Sequence, residues 1–451
     1  MLLFRRTPLA AALACASCLV DLSAAELKNV FAHYMVGGMS GVDQARSDVK
    51  QAKAVGFDAF ALNVQNVVDS WSLNSIQWLF DAAFENDFQL FFSFDMAVVT
   101  NVATFLPLFK QYHANESYYH HNELPFVSTF DGAILNYGYE SANAGWKAEL
   151  KQALSDDGIT PFFVPDFDDW GGSGYTSDFF SSYDVVDGVF SWETAWPTTD
   201  TGSGNVSAVV DEGSQSAAHA VDKPYMMPLS TLQFKHINGS GNWYRRGELN
   251  LPQRMAQVLA QQPDFVEVIT WNDGGESHYI GNVWADSIAS SPDIQAYANG
   301  YDHSAWQDVI APFISAYKSG ATDVAAITPF GDFAAAFWYR PLLASASCSG
   351  DSLGKPSGWE NALDAVNFAV LLPQDTEGVT IKVHSGGSVI ASVPGVAGLN
   401  AQSVPGIQLG AQKVELVRAD GSVMGAGSGT VDVVAETDGT CNFNCQVVHV
   451  A

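Results

Sequence analysis

Residues 265–279 read Phe265-Val266-Glu267-Val268-Ile269-Thr270-Trp271-Asn272-Asp273-Gly274-Gly275-Glu276-Ser277-His278-Tyr279. The first six are almost continuously apolar, which predicts a strand that is buried on both faces. The next nine contain two adjacent glycines and two carboxylates three residues apart, which predicts a polar loop at the carboxyl end of that strand. A buried strand that ends in such a loop is typical of parallel sheets covered by helices.

Seven similar apolar runs precede this one, and amphipathic segments separate them. The runs span residues 30–36, 59–64, 89–96, 125–130, 161–165, 188–192 and 225–229. Helical patterns follow the first two runs at 42–55 and 73–84, and another lies at 304–318. This alternation predicts an α/β protein with a (β/α)8 TIM barrel over residues 26–320. A doubly wound open sheet is the alternative, but no glycine-rich phosphate loop follows the first strand.

The composition changes after residue 320, where helical periodicity fades. Short apolar segments then alternate with Gly, Ser and Asp, and the predicted strands span 333–339, 368–372, 379–383, 388–393, 414–417 and 431–434. This spacing predicts a C-terminal antiparallel β-sandwich domain over residues 321–451. Because no long linker precedes it, we expect the two domains to pack together.

The first 25 residues have the pattern of a secretory signal peptide. Arg5 and Arg6 form a short basic region, residues 8–20 an apolar one, and Ser23-Ala24-Ala25 a small-residue cleavage site. The pattern predicts a secreted protein, extracellular or in a cell wall, whose mature chain begins near Glu26. Three glycosylation sequons, at Asn115, Asn205 and Asn238, fit a secreted eukaryotic glycoprotein.

Three cysteines remain after the predicted signal peptide: Cys348, Cys441 and Cys445. An odd number in an oxidising compartment predicts one disulfide and one free thiol. We expect Cys348 to pair with either Cys441 or Cys445.

The charge balance narrows the possible partners. Forty-nine acidic residues against twenty basic ones give a formal net charge of −29. Such acidity argues against nucleic acid or an anionic membrane as a partner and is compatible with a neutral substrate. No other apolar run reaches the roughly 18 residues of a membrane span. We therefore expect a protein that acts as a monomer without nucleic acid or membrane.

Polar and charged residues end each predicted strand. In chain order they are His33 and Tyr34, Asn63, Asp95, Thr129 and Asp131, Asp166 and Asp168, Trp192 and Glu193, Ser230, and Asp273 and Glu276. In a (β/α)8 barrel these positions share one rim, where active sites lie. Their convergence predicts a cleft for a small molecule or an oligosaccharide.

Asp273 and Glu276 are the candidate catalytic residues. Hydrolysis of a glycosidic bond needs one carboxylic acid that protonates the leaving oxygen and one carboxylate that activates water or attacks carbon. The spacing of the two residues in sequence is compatible with both an inverting and a retaining enzyme. Their neighbours in the loop are candidate substrate-binding residues: Trp271, Asn272, His278 and Tyr279.

Other strand ends supply further candidates. Asp95 ends a very apolar strand, so its charge is expected to face the cleft or a specific partner. The remaining predicted substrate-binding residues are His33, Tyr34, Asn63, Asp166, Trp192 and Glu193. No second histidine lies two residues from His33, so we predict neither a catalytic metal nor another cofactor.

Five segments carry a resemblance to a known family. They are Val30-Phe31-Ala32-His33-Tyr34-Met35-Val36-Gly37, Asp58-Ala59-Phe60-Ala61-Leu62-Asn63, Phe92-Ser93-Phe94-Asp95-Met96, Pro125-Phe126-Val127-Ser128-Thr129-Phe130 and residues 271–281. In this order they resemble glycoside hydrolase family 71, the fungal α-1,3-glucanases or mutanases. The resemblance implies a catalytic barrel with a β-sandwich, and hydrolysis of α-1,3-glucosidic bonds with inversion at the anomeric carbon.

The resemblance also implies roles for individual residues. Asp273 and Glu276 match the catalytic pair of the family, with Glu276 expected as general acid and Asp273 as the base that activates water. Asp95 matches a further acidic residue of the active site. Two alternatives stay open: a non-catalytic glucan-binding or cell-wall protein, and a retaining glycosidase that acts on another glucan.

Overall fold

A computed structural model describes residues 28–168, 174–197 and 204–451. The predicted signal peptide, residues 1–25, lies outside the described residues. Within the described part of the chain, no helix is long and apolar enough to cross a membrane.

Up to residue 320, most of the strands are followed by a helix. The strands are β1 (Asn29–Met35), β2 (Ala59–Val64), β3 (Gln89–Asp95), β4 (His120–His121), β5 (Leu124–Phe130), β6 (Phe162–Phe163), β7 (Val189–Phe190), β8 (Tyr225–Ser230), β9 (Gln233–Ile237), β10 (Gly241–Arg245) and β11 (Phe265–Ile269). The helices are α1 (Val42–Val55), α2 (Ser70–Asn86), α3 (Val102–Tyr112), α4 (Ala142–Trp146), α5 (Ala153–Ser155), α6 (Ser177–Ser182), α7 (Val209–His219), α8 (Asn250–Gln261), α9 (Pro292–Ala298) and α10 (Gln307–Lys318). A π-helical segment, Lys147–Gln152, joins α4 to α5.

Helix α1 shows how the sequence sets these elements. Its buried residues, Ala45, Asp48, Val49, Ala52 and Val55, recur at the three- and four-residue spacing of one helix face. The helix ends at Gly56, whose φ of 105° lies in the left-handed region that glycine adopts without a steric penalty.

A curled, mostly parallel sheet forms the centre of this α/β region. The order of paired strands is β5-β3-β2-β1-β11-β8-β7, and β6 pairs with β5. A single parallel bridge joins Asp166, just after β6, to Phe190 in β7. All eight predicted strands are therefore present, but β6 is only two residues long because Pro161 and Pro165 on either side of it lack the N–H that a ladder needs.

The inward face of the sheet changes from apolar to polar along the strands. Near the amino ends, Phe31, Phe91, Phe126 and Phe265 pack together, and the contacting rings have centroids 4.7 to 5.9 Å apart. Side chains two residues apart share a face, so the residues further along each strand continue this inward row. Asp95, four residues after Phe91, therefore points inward at the carboxyl ends.

The region after residue 320 consists mainly of antiparallel strands. They are β12 (Ala334–Tyr339), β13 (Leu342–Cys348), β14 (Ala365–Leu372), β15 (Thr380–Ser385), β16 (Ser388–Pro394), β17 (Gly398–Pro405), β18 (Gln412–Val417), β19 (Val423–Ser428), β20 (Val434–Thr437) and β21 (Gln446–His449). Two four-stranded sheets have the orders β17-β14-β12-β21 and β16-β15-β18-β19, and β13 pairs with β20 in parallel. Both four-stranded sheets contribute to one buried cluster, for example Phe337 and Phe368 from the first and Ile381 and Leu416 from the second.

One disulfide links two distant parts of this region. Cys348, the last residue of β13, is bonded to Cys441, 93 residues further on, and Cys445 is a buried free thiol. One of the two pairings left open by the sequence is thereby confirmed. Burial raises the pKa of the Cys445 thiol to about 12, so the thiol stays protonated and unreactive at neutral pH.

Candidate active site

A cavity of about 240 Å³ lies at the carboxyl ends of the parallel strands. Its lining consists of Met35, Asn63, Gln65, Asp95, Phe130, Trp192, Lys235, Ile237, Asp273, Gly275 and Glu276. The cavity thus brings together five of the residues predicted from the sequence, namely Asn63, Asp95, Trp192, Asp273 and Glu276. Lys235 and Ile237, from the β9–β10 hairpin, close one side.

Hydrogen bonds fix the loop that carries the two candidate catalytic carboxyls. The backbone N–H of Asp273 donates to the Thr270 hydroxyl at 2.9 Å, and the backbone N–H of Glu276 donates to Asp273 Oδ1 at 2.9 Å. The hydroxyl of Tyr297 donates to the Gly275 carbonyl at 2.6 Å. Asp273 therefore stabilises the turn with one oxygen and keeps Oδ2 for other contacts.

Glu276 lies in a positively charged environment. Gln233 Nε2 donates to Glu276 Oε2 at 2.6 Å, and the Lys235 ammonium lies 3.3 Å from Oε1. His278 Nε2 lies 3.4 Å from Oε2. Burial acts to raise the pKa of Glu276, but the contacts with His278, Lys235 and Gln233 outweigh it and hold that pKa below its usual range. Glu276 is therefore a carboxylate at neutral pH.

Asp273 has the opposite electrostatic character. Burial raises its pKa, and the neighbouring Glu276 carboxylate adds to the shift, while His278 opposes it from 3.8 Å. One oxygen of Asp273, one oxygen of Glu276 and a ring nitrogen of His278 lie within 4.8 Å of one another. This spacing also suits a metal ion, but the Lys235 ammonium beside Glu276 disfavours a second positive charge there. The arrangement instead suits an acid–base pair with unequal pKa values.

The β9–β10 hairpin is a part of the site that the strand pattern did not predict. Its strands pair antiparallel, with Lys235 opposite Trp243, and the Lys235 ammonium lies 4.8 Å from the centre of the Trp243 ring. A sequence signal for it exists, because Asn238-Gly239 is a favoured turn dipeptide between two short segments. The same dipeptide begins a glycosylation sequon. The sequence analysis interpreted it only as a sequon and so did not predict the turn.

Asp95 and Asn63 line the opposite wall. Burial raises the pKa of Asp95, although the backbone N–H of Ala97 donates to its Oδ1 at 3.1 Å and opposes the shift. The amide oxygen of Asn63 has no hydrogen-bond partner among the described residues. Buried polar atoms without a partner are uncommon, so this oxygen is available to a ligand hydroxyl.

His33 is not among the cavity-lining residues, and it pairs with Glu267, which was not predicted as a site residue. Its Nδ1 is 2.6 Å from Oε1 of Glu267, and both side chains are fully or almost fully buried. The ring of Trp192 meets His33 edge-on, with centroids 4.8 Å apart. Glu267 is the one charged residue in an otherwise apolar strand, and this pattern was the available signal for an inward-facing carboxylate.

Asp168 supports the wall that carries Trp192, and its own backbone N–H donates to the Asp166 carboxylate at 3.2 Å. Asp168 Oδ2 accepts hydrogen bonds from the Ser191 hydroxyl at 2.7 Å and from the backbone N–H of Trp192 at 2.9 Å. Burial raises the pKa of both carboxyls. Asp166 is not among the cavity-lining residues, and Glu193 points to solvent, where it pairs with Arg245 at 2.8 Å.

Tyr34 does not reach the cavity, because side chains alternate along a strand. His33 points inward, so Tyr34 points outward, where its hydroxyl donates to Asp48 of α1 at 2.7 Å. The structure therefore places it between the sheet and a helix.

Three further predicted residues of the loop also lie outside the cavity. Trp271 is fully buried and packs against Phe60 with ring centroids 5.3 Å apart, because β11 ends at Ile269 and the alternation stops there. Tyr279 stacks on His303 at 4.0 Å. Asn272 exchanges two hydrogen bonds with the backbone of Met35, at 2.8 and 3.1 Å. His278 is fully buried and does not line the cavity either, but its Nε2 lies 3.8 Å from Asp273 Oδ2 and 3.4 Å from Glu276 Oε2.

Sequence comparison places these features in a known family. Residues 26–451 match the family model of glycosyl hydrolase family 71. A glucan endo-1,3-alpha-glucosidase of Schizosaccharomyces pombe is 34% identical over 434 residues, which cover 95% of this chain and 96% of that protein. A mutanase of Penicillium rubens is 33% identical over 437 residues, covering 94% of this chain and 89% of that protein.

A solved structure of an endo-alpha-mannosidase from Bacteroides thetaiotaomicron is similar with a TM-score of 0.46 at 11% identity, over 65% of this chain and 98% of that one.

The sequence matches extend over nearly the whole chain and include the loop of Asp273 and Glu276. The chain therefore belongs to glycosyl hydrolase family 71.

Proposed function

We propose that this protein is a secreted enzyme that hydrolyses α-1,3-glucosidic bonds of α-1,3-glucan, such as mutan or the glucan of fungal cell walls. The observation that carries the proposal is the pair Asp273 and Glu276, which share one cavity and have pKa values shifted in opposite directions. A non-catalytic binding protein has no need of such a pair. The family and the names of the relatives supply the linkage.

The proposed architecture follows the sequence prediction. Residues 26–320 form a catalytic (β/α)8 barrel, residues 321–451 an accessory β-sandwich, and the first 25 residues are removed on secretion. The pairing of β6 with β5 and the bridge from Asp166 to Phe190 support closure of the barrel. The enzyme acts as a monomer without a metal or another cofactor.

The proposed roles of the pair follow from the charges around it. A general acid must carry a proton before the reaction, and a general base must lack one. Burial favours the protonated form of Asp273, whereas Lys235, Gln233 and His278 favour the ionised form of Glu276. We therefore assign Asp273 as the acid and Glu276 as the base. This order is the reverse of the one expected from the resemblance.

In the proposed reaction, Asp273 donates its proton to the oxygen of the departing glucosyl unit as the bond to the anomeric carbon breaks. Glu276 takes a proton from the water that attacks this carbon. Lys235 keeps Glu276 ionised until the transfer. Asn63, Asp95 and Trp192, on the other walls, contact the sugar ring, with the Trp192 indole offering an apolar face.

The linkage is tested by incubating purified protein with three polymers that differ in it: α-1,3-glucan, an α-1,4-glucan and a β-1,3-glucan. We expect reducing sugars from the first alone. Glucan binding without sugar release would support the non-catalytic alternative, and release from the α-1,4- or β-linked polymer alone would refute the proposed linkage.

A retaining mechanism is the second candidate, because one observation favours it. The nearest oxygens of Asp273 and Glu276 are no more than 4.8 Å apart, whereas inverting pairs are typically about 6.5–9.5 Å apart and retaining pairs about 5–5.5 Å. We propose inversion, for which the loop must open enough to admit the water. NMR of the first product distinguishes the two, since inversion of an α-bond gives the β-anomer and retention gives the α-anomer.

Removal of the Lys235 charge should shift the pH profile. In Lys235→Met the pKa of Glu276 rises. As the pH is lowered, the base therefore becomes protonated at a higher pH than in the wild type. The acidic limb of kcat/KM therefore moves to higher pH. Lys413→Met is the control, because it removes a lysine paired with Glu415 at 2.6 Å on β18. An unmoved acidic limb in Lys235→Met would contradict the assignment of Glu276 as base.

A further inference from the structure

We propose that Asp351 and His236 are positioning residues, which fix the β9–β10 hairpin to the C-terminal region and thereby hold Lys235 and Gln233 against Glu276. The inference rests on the proposed function in one respect, the assignment of Glu276 to the chemistry. It gives the region after residue 320 a part in building the reaction site.

The first step is the link between the hairpin and the catalytic loop. Gln233 and Lys235 contact the two oxygens of Glu276, at 2.6 and 3.3 Å. The backbone N–H of Phe234 also donates to the Glu276 carbonyl at 2.9 Å. The position of the hairpin therefore determines the position of the Glu276 carboxylate and of the charge beside it.

The second step is the alternation of side chains along β9. Gln233 and Lys235 point to one face of the hairpin, and Phe234 and His236 to the other. Phe234 packs towards Phe443 of the C-terminal region, with ring centroids 6.3 Å apart. One face of this strand thus contacts the cavity while the other contacts the C-terminal region.

The third step is the contact between His236 and Asp351, on the face of β9 that is turned away from the cavity. We call this contact the Asp351 clamp. Nε2 of His236 lies 2.8 Å from Asp351 Oδ2, and its Nδ1 lies 2.8 Å from Asn242 Oδ1 across the hairpin. The side chains of His236 and Asp351 are only 4% and 8% exposed, so water screens the pair little. Asp351 Oδ2 also accepts a hydrogen bond from the backbone N–H of Cys441 at 2.6 Å. Cys441 is disulfide-bonded to Cys348, which lies shortly before Asp351 in the chain, so the disulfide holds this corner together.

Backbone pairing extends the clamp along β10. The N–H of Tyr244 donates to the Ser357 carbonyl at 2.8 Å, and the N–H of Ser357 donates to the Asn242 carbonyl at 3.0 Å. The Asn242 amide also donates to the Leu353 carbonyl at 3.2 Å. The segment from Asp351 to Ser357 therefore lies alongside the hairpin, next to β10.

Asp273 is supported by a separate route. The amides of Asn442 and Asn444 donate to the Tyr297 carbonyl at 3.2 and 3.1 Å, and the Tyr297 hydroxyl donates to Gly275. The Asp351 carboxylate also accepts the backbone N–H of Cys441, one residue before Asn442, so Asp351→Ala touches this route too. A change of the His236 side chain leaves that hydrogen bond in place and should therefore act through the hairpin contacts of Glu276.

The test compares Asp351→Ala with a matched control, Glu415→Ala. Glu415 forms a pair of the same kind with His384, at 2.9 Å, on strands β15 and β18. On soluble α-1,3-linked gluco-oligosaccharides we expect Asp351→Ala to lower kcat about 10- to 100-fold, since small misplacements of catalytic groups have effects of this size. In the same variant KM should stay close to the wild-type value, and Glu415→Ala should behave as wild type.

Two further measurements separate positioning from a general loss of stability. Hydrogen–deuterium exchange of residues 233–245 should become faster in Asp351→Ala and not in Glu415→Ala. In addition, Lys235→Met combined with Asp351→Ala should lose less activity than the product of the two single losses, because both changes act on the same contact.

Several outcomes would overturn the inference. Unchanged kcat and unchanged hairpin exchange in a folded Asp351→Ala would do so, and so would equal losses in Glu415→Ala or fully multiplicative losses in the double variant. If Asp351→Ala does not fold, Asp351→Asn and His236→Asn replace it, with the same readouts. If wild-type protein leaves α-1,3-glucan intact, the proposed function fails, whereas hydrogen exchange still decides whether Asp351 fixes the hairpin.

Discussion

Asp273→Asn and Glu276→Gln are each expected to lower kcat on α-1,3-linked gluco-oligosaccharides by about 10²- to 10⁴-fold, the usual contribution of a general acid or base. Both changes keep the size of the side chain and an oxygen that can accept hydrogen bonds. In Asp273→Asn the new amide oxygen can still accept from the Glu276 N–H, so the turn should be preserved. Folding, followed by thermal unfolding and circular dichroism, should be nearly unchanged.

The control is Asp420→Asn, since Asp420 also accepts a backbone N–H, from Ser422 at 2.9 Å, in an exposed turn far along the chain. Its kcat should equal that of wild type. Near-normal turnover in Asp273→Asn or in Glu276→Gln would remove that residue from the chemistry.

Azide then tests the order of the two roles. In an inverting enzyme azide can replace the water that the base activates, so it should rescue Glu276→Gln and give a β-glucosyl azide from an α-linked donor. Rescue of Asp273→Asn alone would restore the order that the resemblance implied. The comparison is informative because both carboxyls occupy the same cavity.

The second large effect concerns stability rather than turnover. Arg254→Met should lower the free energy of unfolding by about 3–5 kcal/mol, the usual cost of removing one partner of a buried ion pair. Arg254 and Asp211 are both 0% exposed, and the guanidinium lies 2.8 Å from Asp211 Oδ2. In the variant the Asp211 carboxylate stays buried, and its remaining donors among the described residues are the hydroxyls of Thr194 at 2.7 Å and Tyr225 at 2.8 Å.

Urea unfolding of three variants measures this effect. Arg46→Met is the control, since Arg46 pairs with Asp43 and Glu85 on the surface and its loss should change the midpoint little. Adding Asp211→Leu to Arg254→Met should recover part of the loss, because no unpaired charge then remains. A loss below about 1 kcal/mol in Arg254→Met would show that water reaches Asp211 in the folded state.

The positions of the parallel strands could be predicted from the sequence because both faces of these strands are buried. The predicted run 59–64 matches β2, and 89–96 matches β3 to within one residue. The C-terminal strands were harder, because half-exposed strands have a weaker apolar signal. The prediction 431–434 shares only Val434 with β20, and the strands β13, β17, β19 and β21 were not predicted.

Site residues could be predicted where a polar residue stands at the end of an apolar strand. They were harder to predict where the direction of the side chain decides whether it reaches the cavity. Asp95 ends one buried strand, Asp273 and Glu276 follow another, and the structure brings them to one cavity. The positions of Tyr34 and Trp271 depend on which face each side chain takes, and a run of apolar residues does not reveal this. Lys235 lies in a hairpin whose two strands are close in sequence. Its own partner, Glu276, is 41 residues away in the chain.

Asn272 has a consequence for how the molecule is made. It lies in the loop that follows the last parallel strand but is hydrogen-bonded to Met35, 237 residues earlier in the chain. Contacts between such distant residues are characteristic of slow folding, since a long loop must close before they form. Asp273 and Glu276 therefore reach the walls formed by the earlier strands only after most of the polypeptide has been synthesised. A nascent chain that ends before residue 265 contains Asp95 and most of the sheet, yet it has neither the acid nor the base.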